Sequence, residues 1–247
     1  MKILIACEES QTITTAMRAL GHEAYSCDIQ EASGNHPEWH VKGNCLPLLR
    51  GGGYLFETMD GRRHEAPDRW DLVIAHPPCT YLSGVTTRHL SLRCTPAQKV
   101  VERMWNVAEA AVFFMHCIYA NADRVCVENP SGFMSRLYRK PDQTVHPYYF
   151  ATDTTDEENY EKKRTCFWLR NLPPLKRLTE LPAPPPKGYT ASGKPLNFEE
   201  CATGNRSKVR SKTFPGIAKA MAEQWAGNIT QPEKHQGGKN ETANVQS

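Results

Sequence analysis

WDLVIAHPPC, residues 70–79, is the stretch on which the fold turns. Trp70–Ala75 is a continuous apolar run without alternation, the pattern of a strand covered by helices on both faces. Pro77 and Pro78 must end it, because neither can donate to a ladder. Similar units lie on either side. Lys2–Ala6 is a short β-branched run, followed by a polar turn and by Thr12–Leu20 at helical spacing up to Gly21. Glu23–Cys27 is a second strand, stopped by Asp28. Pro96 opens a helix to about Tyr119, in which Val100, Val101, Met104, Val107, Ala108, Ala111, Val112 and Met115 recur at helical intervals. Arg124–Val127 is a further strand, followed at once by Glu128–Asn129–Pro130. Strands alternating with helices predict an α/β fold with a doubly wound, mainly parallel sheet. Ligands of such sheets sit off the carboxyl ends of the strands, where both Pro77–Cys79 and Glu128–Pro130 fall.

The remainder is less regular. Residues 138–163 read as polar loop and Thr165–Leu169 as a strand. Prolines crowd Asn171–Asn197, which predicts an extended arm rather than a packed module. Phe214–Ala226 reads as an amphipathic helix with Pro215 near its start and Ile217, Met221 and Trp225 on one face. The expected division is a main domain over 1–170, a Pro-rich basic arm over 171–213, a closing helix over 214–227 and a disordered tail over 228–247.

Composition narrows the class. Of 247 residues, 39% are hydrophobic and 23% charged, as in globular proteins with one buried core. No run approaches the roughly 18 apolar residues of a membrane span, and MKILIACEES makes a poor signal peptide. The nine cysteines are widely spaced and include no C-x-x-C pair, which favours reduced thiols and a cytoplasmic protein over a disulfide scaffold or zinc ribbon. The net charge of +3 is uneven: residues 1–150 carry 15 basic against 16 acidic side chains, residues 151–247 carry 15 against 11. Arg206, Lys208, Arg210, Lys212 and Lys219 form a run free of acids, either a solvated face or a place for a polyanion.

Three residues stand out for chemistry. Cys79 follows a buried strand and two prolines, so its thiol is held on a rigid turn at the ligand edge; a buried structural cysteine is the alternative. Glu128 ends a strand toward the same crevice, as a working carboxylate or as an acid complementing a helix dipole. Arg164 immediately precedes a strand in KKRTCFWL and reads equally as a solvated charge. His36 and His40 have metal-ligand spacing, but Pro37 interrupts the helix face and no third ligand is evident, so structural histidines and no metal are expected. Asp28 ends the second strand, where doubly wound proteins place an acid for a ribose hydroxyl.

Taken together, these positions resemble the cytosine-C5 DNA methyltransferase family. Its Pro-Pro-Cys nucleophile turn is similar to HPPCTYLS with Cys79, its Glu-Asn-Val strand end to Glu128–Asn129–Pro130, and its Arg-x-Arg strand start to KKRTCFWL with Arg164. ACEESQTITTAMRALGHEAYSCDI resembles the first strand, helix and second strand of that family, and TFPGIAKAMAEQW its last helix. The resemblance spans about residues 2–226 and is nearest to short members of phage and prophage type. The sequence departs from the family in three places. The glycine-rich first loop is replaced by Cys7–Glu8–Glu9–Ser10, Asn44 stands where the family has an acid after the third strand, and a large target-recognition domain is missing.

The resemblance implies a Rossmann-like fold binding S-adenosylmethionine through Cys7, Glu8, Ser10, Asp28, Ile29, Asn44 and Pro77. It implies that Cys79 adds to cytosine C6 so that C5 can accept a methyl group, that Glu128 hydrogen-bonds N3 and the exocyclic amine, and that Arg164 binds O2. The base would be flipped or single-stranded, with Arg206, Lys208, Arg210 and Lys212 on the phosphates. Two other readings stay open. One is a methyltransferase-like fold that only binds nucleic acid or a partner, the other an enzyme acting on free pyrimidine nucleotides.

Overall fold

The computed structural model of the chain describes residues 1–84, 88–93, 95–196 and 213–227. Its strands in chain order are β1 (Lys2–Ala6), β2 (Glu23–Asp28), β3 (His40–Lys42), β4 (Leu55–Glu57), β5 (Arg63–Glu65), β6 (Trp70–Ala75), β7 (Ala122–Glu128), β8 (Gln143–Val145) and β9 (Thr165–Arg170), with a two-residue pair at Gly188–Tyr189 and Pro195–Leu196. The helices are α1 (Thr12–Ala19), α2 (Leu46–Arg50), α3 (Ala97–Ile118), α4 (Met134–Leu137) and α5 (Pro215–Met221), the last extended by a π-turn over Ala222–Ala226.

Seven strands form one sheet in the order β3-β2-β1-β6-β7-β9-β8. The first five are parallel, whereas β9 runs antiparallel to both β7 and β8. The architecture is therefore mixed α/β with a large, mostly parallel central sheet, compatible with a Rossmann-like fold. After β3 the chain returns to the other side of β1, which creates a switch point between β1 and β6, the place where such sheets open a crevice. Among the described residues no helix is long and apolar enough to cross a membrane.

Strand alternation divides the core. Ile3, Ile5, Leu72, Ile74, Cys126 and Phe167 face α1 and α5, meeting Ile13, Met17, Ile217, Met221 and Trp225. Leu4, Ala6, Val73, Ala75, Val127 and Trp168 face α2 and α3, meeting Leu48, Leu49, Phe114 and Ile118. Each fully buried Val, Leu, Ile, Phe or Met side chain among them contributes about 1.5–3 kcal/mol. Trp70 carries a polar handle into this core and satisfies it, its Nε1 donating to the Leu48 carbonyl at 2.7 Å.

Three sequence expectations are corrected. The apolar positions of α3 do not share one buried face: Val100, Val107 and Ala111 are buried, but Val101, Met104, Ala108 and Val112 are exposed. The apolar arc of this helix is wider than the face that the sheet covers. Residues 138–163 are not loop throughout, since Gln143–Val145 adds an edge strand to β9. Three residues are too few for periodicity to register. The hairpin β4–β5 was likewise invisible in the pattern; it docks through Phe56, edge-on to Tyr25 with ring centres 5.1 Å apart. The start of the Pro-rich segment packs on the domain, with Leu175 buried and the Trp225 Nε1 donating to the Pro173 carbonyl at 2.9 Å. Residues 228–247 lie outside the described residues.

Candidate active site

The β6–β7 register pairs Ala75 with Val127, so the next residues along, His76 and Glu128, stand side by side as both strands leave the sheet. His76 remains tied to β1 through its amide, which donates to the Ala6 carbonyl at 2.9 Å. Its Nδ1 lies 3.4 Å from Glu128 Oε2, and its Nε2 is buried without a hydrogen-bond partner. Burial by itself would raise the Glu128 carboxyl, but the His76 hydrogen bond and the nearby Lys163 charge outweigh it and hold the group below the usual carboxylate range. Glu128 is therefore ionised at rest, with a side chain 22% exposed.

Cys79 stands on the adjoining turn with an exposed side chain, in contrast to the buried Cys27, Cys45, Cys117, Cys126 and Cys166. Burial pushes the thiols of Cys27, Cys117 and Cys126 up, which makes them inert. The Cys79 carbonyl accepts the amides of Leu82 and Ser83, both at 3.0 Å, so the chain coils immediately behind the thiol. This turn is fastened to the segment after β7 at two points. Asn129 Nδ2 donates to the Pro77 carbonyl at 2.7 Å. Farther along, Ser83 bridges Gly132, and the Phe133 amide donates to the Leu82 carbonyl at 2.8 Å. The approach leaves no room for a side chain at 132, where a Cβ would collide with the Leu82 carbonyl and lie 2.9 Å from the Gly84 nitrogen. Cys79 and Glu128 thus stand on one clasped pair of strand ends, with Cys79 exposed on the turn and outside the residues that line the cleft with Glu128.

Arg164 does not join them. It is exposed and absent from the cleft, which is lined by His76, Glu128, Lys163, Thr165, Phe167, Thr213, Phe214, Ile217 and Met221. Alternation from Thr165 and Phe167 puts Lys163, one residue earlier than expected, on the Glu128 side. Thr165 Oγ1 is buried there without a partner, as is Asn129 Oδ1 on the clasp. Sequence reasoning missed His76 and Lys163. The signal was strand parity, which needs the β6–β7–β9 register before it can be used.

The residues expected around S-adenosylmethionine divide into two groups. Cys7 takes a left-handed conformation (φ 61°), and the amides of Cys7 and Glu8 both turn back onto the Cys27 carbonyl, at 2.7 and 3.3 Å. The Cys7 thiol hydrogen-bonds Cys45 and, with burial, is pushed far up. Glu8 is buried and points into the start of α1, where its carboxylate accepts the Ile13 and Thr14 amides at 2.6 and 3.3 Å and the Thr14 hydroxyl at 2.7 Å. Burial raises its carboxyl even so. Ser10 Oγ accepts the Thr12 hydroxyl at 3.1 Å. Cys7, Glu8 and Ser10 serve the fold, while Glu9 Oε2 between them is buried with no partner among the described residues. Of the others, Asp28 is partly exposed and Ile29 and Asn44 are exposed. Asp28 Oδ1 caps the Gln30 amide at 2.9 Å while Oδ2 makes no hydrogen bond among the described residues, and Ile29 is 77% exposed beside it. Asn44 is exposed, with Oδ1 on the Leu46 amide at 3.0 Å. Pro77 is buried under the clasp. An open carboxylate, an exposed apolar side chain and a free amide nitrogen suit a ribose and an adenine; the Cys7–Ser10 loop offers little to the methionine half.

His36 stacks on Trp39 at 3.8 Å between ring centres, and His40 is fully buried between Ser26 Oγ (2.8 Å) and the Gln30 carbonyl (3.0 Å), both structural placements. Arg206, Lys208, Arg210 and Lys212 lie outside the described residues. No protein-family model matches the chain, and no curated protein matches it.

Proposed function

We propose that this chain is a DNA cytosine-C5 methyltransferase of minimal build. The observation that carries the reading is the clasp, which fastens the turn bearing the exposed Cys79 to the segment that follows the partly exposed Glu128, at the carboxyl edge of the mostly parallel sheet. Cytosine C5 is a poor nucleophile until C6 is saturated. Addition of the Cys79 thiolate to C6 activates the ring, and Glu128 offers an acceptor to the exocyclic amine. Lys163, at the cleft beside Glu128, takes the electrostatic role that the resemblance gave to Arg164. Asp28, Ile29 and Asn44 would hold the nucleoside half of S-adenosylmethionine, which supplies an electrophilic methyl group when bound. Loss of the C5 proton and departure of the thiolate complete the exchange.

Mass spectrometry of nucleosides from DNA of cells expressing the protein tests this, with Cys79→Ser alongside. The expected result is a 5-substituted cytosine that disappears in the variant. Unmodified DNA from cells making folded wild-type protein overturns the reading.

The turned-in Cys7–Ser10 loop favours a second reading, a related fold that binds nucleic acid without turnover. A thermal shift separates the two. S-adenosylmethionine at 100 times its dissociation constant stabilises a true host by about 2.7 kcal/mol, whereas a binding-only protein shows no shift.

A further inference from the structure

Resting on that reading, the chemistry poses a problem for Glu128. Cytosine N3 is a hydrogen-bond acceptor, and charge builds on it as the thiolate adds to C6. A carboxylate can only accept as well. Glu128 therefore has to acquire a proton before it can serve N3. Water is one source, but the carboxylate already has an imidazole on it.

We infer that His76 is the proton store of this site, a positioning and relay residue that hands its Nδ1 proton to Glu128, which passes it to N3. Four observations support this. The Nδ1 stands 3.4 Å from Glu128 Oε2. The His76 side chain is 10% exposed, so bulk water does not replace it readily. Its Nε2 is buried with no partner among the described residues, so the contact with Glu128 is the ring's hydrogen bond there. Finally, the ring is flanked by carboxylates from two elements, Glu128 at the end of β7 and Glu8 from the β1–α1 loop, with Lys163 lining the same cleft as the opposing charge.

The balance of the step is closed. The Cys79 sulfur–C6 bond forms as the C5–C6 π pair is displaced. N3 takes the proton from Glu128, and the Glu128 carboxylate takes the Nδ1 proton of His76, leaving a neutral imidazole. Once C5 carries the methyl group, solvent water takes the C5 proton, the C5–H pair re-forms the C5–C6 double bond and expels the thiolate, and the N3 proton returns along the same path to His76. No external acid is consumed.

The test is the pH–rate profile of single-turnover methylation by the wild type, His76→Gln and Glu128→Gln. Glutamine can hydrogen-bond Glu128 but has no transferable proton, so it separates relay from mere orientation. We expect the wild-type rate to fall as the pH rises through the titration of an imidazole, and His76→Gln to be about 10²-fold slower with that fall abolished. Wild-type rate and profile in His76→Gln overturn the relay. A second readout does not need turnover: imidazole NMR of the resting protein should show the His76 titration moving to lower pH in Glu128→Gln, and an unmoved titration overturns the pairing. Folding of each variant is checked by its melting curve. If the titration moves but wild-type protein leaves cytosine unmodified, the methyltransferase reading and the delivery to N3 fall, while the His76–Glu128 pair stands.

Discussion

Two acids at neighbouring strand ends of this sheet, Glu8 and Glu128, are held in opposite ways. Beyond β1, the Cys7 and Glu8 amides close onto Cys27, and the Glu8 carboxylate is saturated by three donors from α1. Beyond β6 and β7, His76 Nε2 and Asn129 Oδ1 are buried with no partner, and Cys79 is exposed. Both regions carry acids that a linear reading places at the ligand edge. Hydrogen-bond accounting tells Glu8 from Glu128, although Glu9 Oε2, next to Glu8, is itself buried with no partner among the described residues. Where buried polar atoms are satisfied internally the residue belongs to the fold, and where they are left open the fold carries a cost that function has to explain.

The largest contrast comes from exchanging the two glutamates. Glu8→Ala leaves three donors of α1 without their acceptor and should cost about 2–4 kcal/mol, lowering Tm by roughly 5–15 °C. Glu128→Gln should leave Tm within a few degrees and abolish 5-substituted cytosine. Calorimetry and nucleoside analysis of the pair check this, and a Glu128→Gln protein that melts like Glu8→Ala would erase the distinction between the two ends. Gly132→Ala comes next. Its Cβ drives into the Leu82 carbonyl, so the clasp must part, at about 1–3 kcal/mol, with product lost in greater proportion than stability. Equal losses would mean that the clasp only stabilises.

The smallest effect is in acid. Burial lowers His22, His40 and His146, so the unfolded chain binds protons that the folded chain refuses. Their contribution to stability is complete above the ordinary histidine value of about 6.5 and is lost as the pH falls below it. Tm should decline steadily between pH 7 and 5. Replacing His40 by Gln should flatten that decline; an unchanged slope would assign it to other groups.

What the sequence made legible was whatever repeats or breaks abruptly. The apolar runs at Lys2–Ala6 and Trp70–Ala75, the Pro77–Pro78 stop and the Pro96 helix start each carry their own physical reason, and with them came the placement of Cys79 and Glu128 at strand ends. The partners that tune these residues were not legible. His76 and Lys163 act on Glu128 across strands that are 52 and 35 residues away in the chain or more tightly bound by register than by order. One residue of parity decided between Lys163 and Arg164, and parity has no meaning until β9 is known to run antiparallel to β7. The single face expected for α3 failed for the converse reason: periodicity measures how apolar a helix is, not how much of it a neighbour covers.

The clasp also has a mechanical consequence. With the Pro77 carbonyl, the Leu82 carbonyl and Ser83 all fastened to residues 129–133, the thiol cannot swing on its own turn. The Cys79 turn and the segment after β7 are joined as one unit, so any opening between them has to pivot outside residues 77–83. Hydrogen exchange would register this as the Leu82, Ser83 and Phe133 amides releasing in unison, at the pace of the sheet rather than of a surface loop.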